Sequence, residues 1–94
     1  MTKIDDLPAI LGKAIGEARE KKGISRYMLA KRLSTQQHRV TRIENGASDM
    51  RLSSVMGIIE ALDITPGELL DPVADALRGK GILQSAVRKD GENR

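Results

Sequence analysis

Apolar residues recur along the first two thirds of the chain at intervals of three and four, the spacing of one face of an α-helix. Leu7, Ile10, Leu11, Ala14, Ile15 and Ala18 form the first set, preceded by Asp5 and Asp6 as caps, with Pro8 in the first turn. The pattern predicts a helix from about Pro8 to Lys22, ended by Gly23. Ser25 can cap a second helix, Arg26 to Leu33, whose inward positions are Leu29, Ala30 and Leu33. Ser34, Thr35 and Gln36 then break the pattern with hydroxyl and amide groups that compete with helical hydrogen bonds. A third helix follows from about Gln37 to Asn45, with Gly46 as the left-handed residue that stops it.

The next set, Leu52, Val55, Met56, Ile58, Ile59 and Leu62, again has helical spacing and starts near Arg51 or Leu52; Met56 reads as core and Met50 as loop. "DITPGELLD" reads as a tight connection into a fifth helix of one to two turns containing Leu69 and Leu70. "DPVADALRG" carries start and stop signals of its own, with Asp71 as cap, Pro72 at the first helical position and Gly79 at the end. "ILQSAVR" fits a short strand or a frayed helix, and "KDGENR" a disordered tail. The expectation is an all-α fold of five packed helices over residues 1–70, with a C-terminal extension over 71–94 that adds a helix and a strand-like segment.

The third helix divides into two faces. At 100° per residue, Val40 and Ile43 lie within about 60° of each other, while Gln37, His38, Thr41 and Arg42 occupy the opposite arc. That outer set suits the reading of base edges: Gln can bond adenine twice, Arg can fork onto guanine O6 and N7, and His and Thr add single donors or acceptors. A helix with this face fits a B-form major groove about 12 Å wide.

Charge sharpens the picture. The net charge is only +3, but from Arg19 to Arg42 eight Lys or Arg face the single acid Glu20, a local balance of +7. From Ile43 to Leu77 seven acids face Arg51 alone, a balance of −6. A basic segment this dense suggests a polyanion partner. The rest of the composition mainly excludes. With no cysteine, thiolate metal sites and disulfide scaffolds are out, and His38, the chain's one histidine, has no second ligand or partner acid at helical spacing. No cofactor or metal is expected. No nucleophile is paired with a base and no glycine-rich phosphate loop follows a strand, so an enzyme is not expected. Tyr27 is the single aromatic, which argues against stacking platforms for single strands. No apolar run is long enough to span a membrane, and "MTKIDDLPAI" carries acids where a signal peptide carries lysines, so a cytoplasmic protein is expected.

Two short helices joined by a tight turn, the second ending in glycine, outline a helix-turn-helix. The text "LGKAIGEAREKKGIS", "MLAKRLSTQQHRVTRIENG" and "LSSVMGIIEALDITPGELL" resembles the Cro and cI type of helix-turn-helix regulators over Leu11 to Leu70, about two thirds of the chain. "IENG" and "ALDITPGELL" are the most specific parts. The resemblance implies a lambda-repressor-like domain that binds double-stranded DNA. Anchored on Glu44-Asn45-Gly46, it puts Gln37, His38 and Arg42 at base-contacting positions, and Arg39 and Arg26 at or beside phosphate-contacting ones. Gln36 becomes the turn or cap residue, itself close to phosphate, while Lys21 and Lys22 stand either at a phosphate-contacting edge or at a solvated helix end. The resemblance also implies an ion pair between Arg19 and Glu44. Arg26 departs from the glutamine common at its place, Met28 from the usual acid, and Ser34 from the customary turn glycine. Ser34 must then tolerate a left-handed backbone at a cost of about 1 kcal/mol, or the turn differs.

One recognition helix reads about half a site, so a homodimer on a palindromic operator is expected, with two such helices in successive major grooves. Leu69, Leu70, Val73, Leu77, Ile82, Leu83 and Val87 are the candidate dimer contact; the rival is that they cover the protein's own core. A repressor of its own promoter is the leading reading, in which replacing Arg26 or Arg39 with Ala weakens all sequences alike. The alternative is an antitoxin, because "MRLSSVMGIIEALD" resembles the fourth helix of HipB-like antitoxins and the extension could engage a toxin protein.

Overall fold

Leu11, Ala14 and Ile15 fall on one side of the first helix, α1 (Leu7–Lys21), and are buried there. The computed structural model describes residues 6–47 and 49–79; within them four more helices follow: α2 (Arg26–Arg32), α3 (Gln37–Glu44), α4 (Leu52–Leu62) and α5 (Pro66–Gly79). Helix α1 is the central element, packed on α3 and α5 and touching α4, while α2 lies against α3 and α4. Ile15, Leu29, Val40, Ile58, Leu62 and Leu69, drawn from all five helices, are the most completely buried side chains.

Local chemistry sets most boundaries as expected. Ser25 caps α2, its Oγ accepting the Met28 N–H at 3.0 Å. The turn between α2 and α3 holds Ser34 at φ 57°, so a non-glycine residue does occupy the left-handed position. Asp63 ends α4 in the same conformation, one that Asp tolerates better than most residues. Nearby, Arg32 Nη1 donates to the Ala61 carbonyl at 2.7 Å, placing a cation from α2 at the carbonyl-rich end of α4. Asp6 occupies the N-cap position of α1 with helical backbone, and Asp5 lies outside the described residues.

Two expectations are corrected. The fifth helix and the separate helix from Asp71 are one continuous element, with Pro72 inside it. An interior proline costs about 3 kcal/mol, since it removes a hydrogen bond and crowds the preceding turn. Against that, Leu69, Val73 and Leu77, four residues apart on one stripe, are all buried in the core, and each such burial is worth about 1.5–3 kcal/mol. Burial wins, and the helix continues. Its start lies at Thr65, whose Oγ1 accepts the Glu68 N–H at 3.1 Å while Glu68 Oε1 accepts the Thr65 N–H at 2.7 Å, a reciprocal capping box. In α4, the inward stripe is Val55, Ile58, Ile59 and Leu62, so Met56 (43% exposed) is not core and Leu52 (73%) stands in solvent.

The dimer candidates divide accordingly. Leu69, Val73 and Leu77 fill the monomer's own core and cannot at the same time present an outer contact, whereas Leu70 is on the surface. Ile82, Leu83 and Val87, with the strand or frayed helix of "ILQSAVR" and the "KDGENR" tail, lie outside the described residues. No described helix is long and apolar enough to cross a membrane.

Candidate nucleic-acid interface

Helix α3 is eight residues long, and Val40 is the one it buries fully; Ile43 packs against the core beside it. The opposite arc is open: His38 and Arg42 are exposed, and so is Gln37 one turn before Val40. Thr41 is half-buried and its hydroxyl donates to the Gln37 carbonyl at 3.3 Å, which leaves that oxygen available as an acceptor. Gln36 precedes the helix with extended backbone (φ −93°, ψ 152°) at the N-cap position. With Thr35, His38, Arg39 and Arg42 it lines a shallow concavity of about 280 Å³ on the outside of the helix.

The far end of α3 is pinned by charge. Glu44, whose side chain is only 5% exposed, accepts from Arg19 Nε at 2.7 Å through Oε2 and from Arg19 Nη2 at 3.2 Å through Oε1. Arg19, buried on α1, also donates Nη1 to the Ile24 carbonyl at 2.8 Å, tying the α1–α2 connection into the same joint. The bonds to Glu44 outweigh burial and raise the Arg19 pKa above its ordinary value, so the guanidinium stays charged. Such a joint is directional and charge-assisted, which orients a helix more than it stabilises one. Close approach makes it attainable. A side chain added at Gly12 would place its Cβ 2.8 Å from the Glu44 carbonyl oxygen, and one at Gly16 would place it 3.2 Å from Glu44 Oε1.

Arg26, expected at or beside a phosphate contact, also meets the joint. Its Nε donates to Glu44 Oε1 at 3.0 Å, while the side chain stays 44% exposed. Lys21 and Lys22 follow Arg19 at the end of α1. They line a groove of about 590 Å³ between α1 and α5, with Glu17, Glu68 and Asp71 on the same walls. Glu68 is held below the ordinary carboxylate value, first by the Thr65 backbone N–H, with those two lysines contributing.

Residue pattern alone did not single out Arg51. It lines, with Ser34, Thr35, Arg39, Asp49 and Ser54, a second concavity of about 530 Å³ between the α2–α3 turn and the start of α4. Its place at the boundary of the fourth hydrophobic set was the available signal.

A polar helix face flanked by arginines, borne on two helices joined by a tight turn, is the arrangement of a helix-turn-helix. A family model described as the Cro/C1-type HTH DNA-binding domain matches residues 15–75. The chain belongs to the Cro/C1-type helix-turn-helix DNA-binding family. The match spans α2 and α3, the two short helices joined by the tight turn at Ser34. Among solved structures, the fold is similar to that of the clp gene regulator ClgR from C. glutamicum, with a TM-score of 0.69 at 22% identity, over 73% of this chain and 88% of that one. A search of curated proteins finds no match.

Proposed function

We propose that this Cro/C1-type protein is a transcriptional repressor that reads a specific duplex sequence with α3. Gln37, His38 and Arg42 contact base edges in the major groove, and Thr41 contributes its hydroxyl oxygen as an acceptor. Arg39 and Arg51, on the walls of the concavity beside the α2–α3 turn, bind backbone phosphates together with Gln36. The observation that carries the reading is the division of α3: Val40 is 1% exposed, while His38 and Arg42 opposite it and Gln37 one turn before it are exposed. The resemblance in fold to a structure described as a gene regulator supports the regulatory part.

The target is an inverted repeat, including one at the protein's own promoter, bound by a homodimer that blocks polymerase. Self-association uses Leu70 and the residues after Gly79. Removing residues 80–94 then yields a monomer by sedimentation, whereas cutting after Leu70 is uninformative because it takes Val73 and Leu77 from the core.

Selection of bound sequences from random duplexes at fixed ionic strength tests the function. Enrichment of an inverted repeat is expected, with binding that falls steeply as salt rises, because each neutralised phosphate releases counterions. Recovery of a pool no different from the input overturns the proposal.

A further inference from the structure

On the helical wheel of α3, the outer face from Gln37 through His38 to Arg42 has two edges. Arg39 stands on one; Glu44, one turn beyond Thr41, stands on the other. Glu44 carries Arg26 with it, so a cation borders the reading face on both sides. A helix seated in a major groove meets a phosphate-lined wall along each edge, which brings Arg26 opposite one of them. Arg26 differs from Arg39 in one respect: it is bonded to the carboxylate that fixes the end of α3.

A guanidinium can serve both sides. It has five N–H donors in a planar fork; Nε of Arg26 points to Glu44, and among the described residues no hydrogen bond or ion pair occupies its terminal nitrogens. We propose that Arg26 is a positioning residue, linking a backbone phosphate on one side to Glu44 on the other, so that seating on the backbone sets the angle at which Gln37 and Arg42 meet the bases. This rests on α3 being the DNA-reading helix. It replaces the expectation that Arg26 is a plain phosphate contact whose loss weakens all sequences alike. Glutamine has two donors but lacks the charge, and lysine has the charge but lacks the planar fork that holds two anions at a fixed angle.

The test compares the wild-type protein, Arg26→Gln, Arg26→Lys and Arg39→Gln, each titrated with the selected duplex and with its scrambled counterpart across a range of salt. Thermal melting of the free proteins comes first, and all four should melt alike, since Arg19 continues to hold Glu44 in every variant. Arg39→Gln is expected to weaken both duplexes equally, leaving their ratio unchanged. Both Arg26 variants are expected to lower the ratio of selected to scrambled affinity by at least about fivefold, the lower end of typical coupling between sites. In Arg26→Lys, binding to the scrambled duplex should stay close to wild type. A ratio preserved in both Arg26 variants overturns the positioning role and returns Arg26 to a simple phosphate contact. A wild-type protein that does not distinguish the two duplexes overturns the DNA reading itself, a separate outcome visible before any variant is measured.

Discussion

Helices α3 and α4 are held to the same core by opposite means. Helix α4 buries Val55, Ile58, Ile59 and Leu62 in eleven residues, while α3 buries only Val40 fully in eight and is fixed at its end by Glu44 between Arg19 and Arg26. At about 1.5–3 kcal/mol per buried aliphatic side chain, α4 needs no further attachment and α3 does. Hydrophobic contact is non-directional, whereas a forked ion pair fixes an angle. A helix that must offer one side to a ligand has few core positions to spend, and a directional joint at one end compensates.

Removing the joint should produce the largest effect. Glu44→Ala leaves the buried Arg19 without its carboxylate and should cost about 4 kcal/mol of unfolding free energy, since breaking a buried pair on one side strands the other charge. Denaturant titration measures it, and a loss under about 1 kcal/mol would show that α3 is held by Val40 and Ile43 instead. Leu62→Ala, in the completely buried stripe of α4, should cost about 3 kcal/mol through lost contact and a residual cavity. The contrast lies in binding: the Leu62 variant, while folded, should keep its preference among duplexes, and the Glu44 variant should not.

Arg42→Ala should leave melting unchanged and cost about 1–3 kcal/mol on the selected duplex, with relaxed preference at one base pair. Equal losses on selected and random DNA would contradict base reading by this residue. Ser34→Gly relieves a left-handed backbone next to α3 and should stabilise by about 0.5–1 kcal/mol in the same titration; no gain would mean that the turn carries little strain.

The smallest effect belongs to the capping box of α5. Because the Glu68 carboxyl is held below its ordinary value of 4.5, its contribution is present above that pH and is lost as the pH falls through the lower, folded-state value. Wild-type protein should therefore melt slightly above Glu68→Gln at pH 7, and the gap should close in acid. A gap independent of pH would contradict an ionised cap.

Much of the fold was legible in the chain because short-range chemistry dictates it. The spacing of Leu11, Ala14 and Ile15, the cap at Ser25 and the left-handed stops at Gly23 and Gly46 depend on neighbours within one turn. The start of α5 was also written locally, since Thr65-Pro66-Gly67-Glu68 has capping-box spacing with proline at the first helical position. Asp71-Pro72 has a similar look and misled for a physical reason. A start signal states only what a segment tolerates, and the burial of Val73 and Leu77 in the core overrides it.

By its own pattern, then, the chain determined that there would be helices, that α3 would have one greasy and one polar side, and that the basic half would attract a polyanion. Tertiary structure alone decided that Leu69, Val73 and Leu77 face inward, that Met56 faces outward, and that Arg26 shares Glu44 with Arg19 eighteen or more residues away. Periodicity records which residues share a face. It cannot record what that face meets, because burial and ion pairing depend on distances between segments that are remote along the chain.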